Sequence, residues 1–310
     1  MFADSLLSLA LDPAVRPVAL GTAALGAVTG AVGTFAVVRR RSLQGDAVSH
    51  AALPGVALAY LLGGRSEVLL VLGAACTGWV AMALVSGIIG RSRVPFDAAL
   101  GGALAVFFGL GLVLLTYLNK HVPGAATVRP QNYLFGQDAA LMRAADLWPV
   151  LGLGGGAVLA VLVLWKEFKL LSFDPDFAAS VGLPTRRLDL ALTGLVVLAV
   201  VLGLQTVGVV LMSALIVAPA AAARQWSDRL GRVAALAALF GAAAGFAGTL
   251  LAHALSREHA TVPTGPTIVL AATAVALASL LFAPSRGIVW RLRLVRPSPL
   301  APPGHEHDPA

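Results

Sequence analysis

The sequence predicts an all-α, polytopic transmembrane helical bundle. Three observations lead there: a composition poor in charge, long uncharged runs, and basic residues confined to the joints between those runs. The 310 residues are 58% hydrophobic and only 12% charged. A soluble domain of that size needs far more surface charge to stay dispersed. Alanine, leucine, valine and glycine fill the runs, and a bilayer asks for about 20 apolar residues per spanning helix. Aromatic content is low at 6%, and no period-2 alternation appears, which excludes a membrane β-barrel. The net charge of +7 sits in short loops, where basic residues orient membrane proteins, so no nucleic-acid partner is expected. The single cysteine, Cys76, lies inside an apolar run and supports neither a disulfide nor a thiolate metal site. The opening Met1-Phe2-Ala3-Asp4 has no basic n-region, so no cleavable signal peptide is expected.

Uncharged runs fall at 18–38, 47–63, 68–89, 98–118, 147–165, 190–223, 233–252 and 266–283. As one helix, the run from Leu190 to Ala223 would overshoot a hydrocarbon core of roughly 30 Å by about 20 Å. Gly203, Gln205, Thr206 and Gly208 interrupt it near its middle. Two crossings joined by a tight turn fit better and bring the expected total to about eight or nine spans. Basic residues agree with that count. With the N-terminus outside, the cytoplasmic joints hold Arg39–Arg41, Arg91 and Arg93, Lys166 to Arg187, Arg224 to Arg232, and Arg286 to Arg296. A single crossing at 190–223 would scatter them to both sides. The expected organisation is an external segment over 1–17, a membrane domain over 18–284 and a cytoplasmic tail over 285–310, Pro-rich and basic enough to be disordered. Gly26/Gly30 and Gly241/Gly245 have the spacing that lets membrane helices approach closely.

An ionisable residue inside a span is expensive, which makes it a functional candidate. After the basic turn comes Ser42-Leu43-Gln44-Gly45-Asp46-Ala47-Val48-Ser49-His50, then Pro54-Gly55. Asp46 and His50 are four apart, so a helix projects both from one face. A carboxylate oxygen with an imidazole nitrogen suits divalent manganese, iron or zinc, and no thiolate or thioether beside them favours copper(I). Two ligands make an incomplete site that a second copy across a two-fold axis could complete. The alternative is a helix N-terminus capped by Asp46, with His50 paired to it or to a carbonyl. Asp46 falls close to the cytoplasmic end of its span, and only a re-entrant preceding loop would carry it to mid-membrane. His121, His253 and His259 fall on the outer side and read as solvated loop histidines. The tail His305-Glu306-His307-Asp308 is assigned no role.

A second candidate precedes Leu190. In the stretch from Ser172 to Pro184, Asp174 suits an N-cap, Pro175 the first helical position and Asp176 the positive end of the dipole. Gly182 and Pro184 end the helix. The product is a two-turn cytoplasmic helix at about 172–184 with Phe177 and Val181 on one face. Such a helix is marginal alone in water, so it is expected to dock on another protein or fold back on its own bundle. None of the lysines (Lys120, Lys166, Lys169) sits in a Gly-Lys-Ser/Thr loop. If ATP drives this protein, a separate subunit hydrolyses it.

The chain from about Arg39 to Pro284 resembles the ABC-3 type permeases of manganese, zinc and iron importers. Arg40 to Gly55 follows that family's R-x-S-L-x-G-D-A-x-S-H-A-x-L-P-G pattern without departure. Further matches are Asp97 to Gly101, Phe107 to Gly111, Tyr133 to Gly136, Val207 to Leu211, Ala218 to Ala222 and Pro263 to Pro266. Phe173-Asp174-Pro175 with Gly182-Leu183-Pro184 resembles the family's ATPase-coupling segment. The resemblance implies a non-enzymatic permease subunit in the plasma membrane that moves manganese, zinc or iron(II) inward by alternating access, with no stably bound cofactor. It also implies two permeases around a central path, with a homodimer expected, a pair of cytoplasmic ABC ATPases, an external metal-binding protein and surrounding lipid. Asp46 and His50 would meet the metal. Phe173, Asp174, Pro175, Phe177, Val181 and Gly182 would couple the chain to its ATPase. A permease for a metal chelate of the siderophore or corrinoid type would need a wide apolar path in which an Asp/His pair is out of place. An ATP-independent carrier would need a further intramembrane carboxylate.

Overall fold

A computed structural model describes residues 12–63, 66–121, 147–204, 206–256, 262–284 and 287–289. These residues form eleven α-helices and no strand. In chain order they are α1 (Val15–Val38), α2 (Gln44–Gly63), α3 (Glu67–Arg91), α4 (Phe96–His121), α5 (Leu147–Val163), α6 (Trp165–Phe173), α7 (Pro175–Ser180), α8 (Thr185–Leu204), α9 (Val209–Trp226), α10 (Leu230–Leu255) and α11 (Thr264–Phe282). The Tyr133 to Gly136 motif, Gln205, His259 and the tail histidines lie outside the described residues.

Six of these helices, α1, α3, α4, α8, α10 and α11, are long and apolar enough to cross a membrane. The bent pair α5–α6 passes the same test as one broken span. Helices α2 and α9 have 20 and 18 residues, and each carries an internal proline, Pro54 and Pro219. The outward faces of α3, α4 and α5 expose Leu72, Val80, Val106, Val113, Leu159 and Leu162. Stripes of that kind are stable against hydrocarbon and unstable against water.

A tight seam joins α1 to α10. A Cβ added at Gly26 would lie 2.1 Å from the Gly241 carbonyl oxygen, and one at Gly30 would lie 2.2 Å from that of Ala237. Only hydrogen at Gly26 lets the two backbones meet there, so packing does the work that the hydrophobic effect does in water. Thr22 and Thr249 close the seam with a 2.9 Å hydroxyl contact. Helix α2 lies between α3, α4, α8 and α9. It meets α4 where Gly111 faces Leu53 and Pro54.

The long run through Leu190 breaks between Leu204 and Gly208, separating α8 from α9. Gly208 starts α9 at φ +93° and ψ 157°, a backbone conformation that is essentially glycine's alone. The Thr206 hydroxyl and the Val207 N–H both donate to the Gly203 carbonyl, so the break leaves that acceptor satisfied. Elsewhere the structure departs from expectation. The 147–165 run ends at Val163 and turns by 70° into α6. Ser172 and Phe173 therefore end α6 rather than beginning the short helix, which is α7 alone. Helix α1 starts at Val15, inside the expected external segment.

Candidate functional site

Helix α1 stops in a left-handed turn. Arg40 has φ 57°, its N–H donates to the Val37 carbonyl, and the Arg41 N–H donates to that of Ala36. This is a Schellman stop with arginine in the position glycine usually takes, at a cost of about 1–2 kcal/mol. The turn aims Arg39 and Arg41 at one carboxylate oxygen, Asp189 Oδ1 in the second turn of α8, with Arg41 Nη1 at 2.8 Å. Arg41 also stacks its guanidinium 4.7 Å from the Phe96 ring centroid at the start of α4. Burial and the neighbouring Arg39 pull the Arg41 guanidinium below its ordinary value, and Asp189 opposes them.

Five residues beyond Arg41, Asp46 sits in the first turn of α2, where the helix dipole favours a carboxylate. The preceding turn is short rather than re-entrant, so Asp46 stays near the helix end. His50 lies one turn on, with Nε2 3.5 Å from Asp46 Oδ1. The His50 side chain is 13% exposed and that of Asp46 33%. Two residues invisible to sequence reasoning complete the surroundings. Phe108 of α4 stands edge-on to the imidazole at 4.7 Å between ring centroids. Ser213 of α9 hydrogen-bonds the Asp46 carboxylate.

The chemistry of the pair follows from its hydrogen bonding. With Nε2–H facing Asp46, Nδ1 carries a lone pair, and Nδ1 is buried with no partner among the described residues. A buried acceptor left unmet costs about 1–3 kcal/mol. A cation that replaces the shared proton meets both a carboxylate oxygen and an imidazole nitrogen. No group of three or more His, Cys, Asp or Glu side chains gathers among the described residues, so the pair is at most half of a coordination sphere. His121 and His253 stand apart, each bonded through Nδ1 to the carbonyl four residues earlier.

The second candidate is built as its residues dictate. The Asp174 carboxylate accepts from the Phe177 N–H at 2.9 Å, and Pro175 opens α7. Gly182 at φ +85° closes it, with Gly182 N–H donating to Ala179 and Leu183 N–H to Ala178. Ala178 is fully buried against the body, while Phe173, Phe177 and Val181 are 59%, 54% and 60% exposed. An aromatic and aliphatic edge is thus held outward by a capped, six-residue helix and its flanks. A cavity of about 380 Å³ opens beside it, between Trp165 and Lys169 of α6 and the Asp228-Arg229 turn, and Asp46 does not line it.

Apolar helices, a polar pair near one helix end and an exposed capped turn define a multi-pass membrane protein of the transport class. The model of the ABC 3 transport family matches residues 12–283. The zinc transport system membrane protein TroC of Treponema pallidum is 43% identical over 289 residues, covering 93% of this chain and 95% of that relative. The manganese transport system membrane protein MntC of Bacillus subtilis is 40% identical over 92% of this chain, which spans 64% of that relative's length. Among solved structures, PsaBC from Streptococcus pneumoniae in complex with Fab superposes with a TM-score of 0.80 at 30% identity, covering 95% of this chain and 99% of that one. An inward-facing metal-chelate type ABC transporter shares the fold at a TM-score of 0.67 and 19% identity, over 86% of this chain and 85% of that one. The chain belongs to the ABC 3 transport family.

Proposed function

We propose that this chain is the membrane-spanning subunit of an ATP-driven importer of a divalent first-row transition metal, manganese or zinc, with iron(II) the remaining possibility by ligand chemistry. Asp46 and His50 contact the ion in passage. The observation that carries the reading is the pair itself: a carboxylate and an imidazole 3.5 Å apart, the imidazole almost buried, with its second nitrogen unmet. That donor set is borderline in softness and suits these metals. The names of the manganese and zinc relatives point the same way.

Counting α2, α5 and α9 as crossings beside the six helices named above gives nine spans, an odd number that puts the N-terminus outside and the C-terminus in the cytoplasm. On that topology α6, α7 and the Arg39–Arg41 turn share the cytoplasmic face. The outward edge of α7, with Phe173, Phe177 and Val181, docks a separate ABC ATPase. ATP binding and hydrolysis there tilt the bundle so that the path opens to one side at a time. A second copy of the chain supplies the other half of the coordination sphere, and an external metal-binding protein delivers the ion. Holding must be weak enough to permit release, since conduction needs exit as well as entry.

The test is radiometal uptake by cells lacking their own importers and expressing the whole transporter. Manganese and zinc are compared in the native protein, Asp46→Ala and His50→Ala. The expected result is uptake of one metal, lost in both variants, with the ATPase still assembled. Undiminished uptake in both variants would make the pair structural.

A further inference from the structure

Three polar contacts, on two levels, join the α1–α2 turn and the start of α2 to the start of α8. Lower down, Arg39 and Arg41 share Asp189 Oδ1. One turn higher, Gln44 Nε2 donates to Thr193 Oγ1 at 3.2 Å, both side chains buried. Asp189 and Thr193 are four apart on one face of α8, and the residues they hold run directly into Asp46 and His50. Membrane helices pack through small residues and dispersion, so a two-rung polar ladder with one carboxylate between two guanidiniums is a costly exception.

At its other end the ladder is fastened to α7. No flexible linker intervenes: the Leu183 N–H bonds Ala178 in α7, the Thr185 N–H bonds Leu183, and the Leu188 N–H bonds Pro184. A displacement of α7 therefore carries the first turns of α8, and with them Asp189 and Thr193. Arg41, stacked on Phe96, brings α4 into the same joint, and α4 is the helix whose Phe108 abuts His50.

We infer that Asp189, seconded by Thr193, is a positioning residue that transmits motion of the α7 segment to the Asp46/His50 pair. It touches neither metal nor nucleotide; it acts through Arg39 and Arg41. The inference rests on the coupling reading above and names the joint through which that coupling passes. Removing the charge on Asp189 leaves two guanidiniums facing each other without their counter-ion, so the two helix ends lose their common anchor. Longer-range packing, including the α1–α10 seam, stays in place.

The experiment uses the complete transporter, permease with its ATPase and external binding protein, reconstituted in proteoliposomes with manganese as probe. Manganese moved per ATP hydrolysed and the manganese half-saturation are measured for the native protein, Asp189→Asn, Asp189→Glu and Phe177→Glu. Expected for Asp189→Asn is a fall of about tenfold in manganese per ATP with unchanged half-saturation, and recovery by Asp189→Glu to within about threefold of native. An undiminished ratio in Asp189→Asn overturns the inference, as does a fall that Asp189→Glu fails to repair. If Asp189→Asn does not assemble, Thr193→Val, which removes only the upper contact, is read in the same way: a lowered ratio supports the joint and an undiminished one overturns it. An undiminished ratio in Phe177→Glu is a separate result, for it removes the docking reading while Asp189 is judged on its own ratio.

Discussion

The α1–α10 seam and the α2–α8 joint solve the same problem in opposite ways. Both hold two long helices together, the seam along the helix bodies and the joint at the helix ends. The seam does it with backbone against backbone at Gly26 and Gly241, sealed by paired threonine hydroxyls. Nothing in those contacts titrates, and nothing can slide without a carbonyl striking an α-carbon. The joint uses Arg39, Arg41 and Gln44 against Asp189 and Thr193, all on long or rotatable side chains that tolerate small displacements. The difference separates scaffold from working parts. Close packing is bistable and stiff, whereas charged side chains on helix ends can follow a moving partner and keep their hydrogen bonds. The candidate metal pair and the short α7 helix both lie on the joint's side of this division.

That division can be tested at both ends, ordered here by expected effect on stability. Gly26→Leu should be the most damaging change, because its Cβ alone would sit 2.1 Å from the Gly241 oxygen. Overpacking of this kind costs about 1–3 kcal/mol or more, visible as loss of monodisperse protein on size exclusion in detergent. Gly208→Ala should cost about 1–3 kcal/mol through its φ of +93°. It should lower the thermal midpoint without a new contact being lost. Asp174→Ala removes the cap of α7 and should cost about 1 kcal/mol locally. Hydrogen exchange at the Phe177 amide should quicken while the seam stays protected. Phe177→Glu, at an exposed position, should shift stability by less than about 0.5 kcal/mol. Yet it should lower metal moved per ATP, which isolates docking from folding.

Local chemistry was legible in the sequence and tertiary meetings were not. The Asp174 cap, the Pro175 start and the Gly182 stop depend on neighbours within a few residues, and they form as the sequence alone implies. The break in the long apolar run could be read from Gly203, Thr206 and Gly208, because a turn in hydrocarbon needs glycine freedom and a side chain to satisfy the loosened carbonyl. The i, i+4 spacing of Asp46 and His50 likewise placed them within reach of each other. By contrast, Asp189 meets Arg41 across 148 residues of chain, and no periodicity announces such a pairing. Phe108 beside His50 and Ser213 beside Asp46 are equally products of packing. The 70° bend between α5 and α6 was also hidden, since Leu164 carries no glycine or proline signal.

The central claim is that Asp46 and His50 hold the ion together, and pulsed electron paramagnetic resonance on the manganese-loaded transporter addresses it most directly. Imidazole nitrogen bound to manganese(II) gives a nitrogen coupling that water and carboxylate ligands do not. The account predicts that coupling in the native protein, its loss in His50→Ala, and its weakening in Asp46→Ala with the bound manganese reduced. A nitrogen coupling that survives in His50→Ala, or is missing from the loaded native protein, would contradict it and place the ion elsewhere.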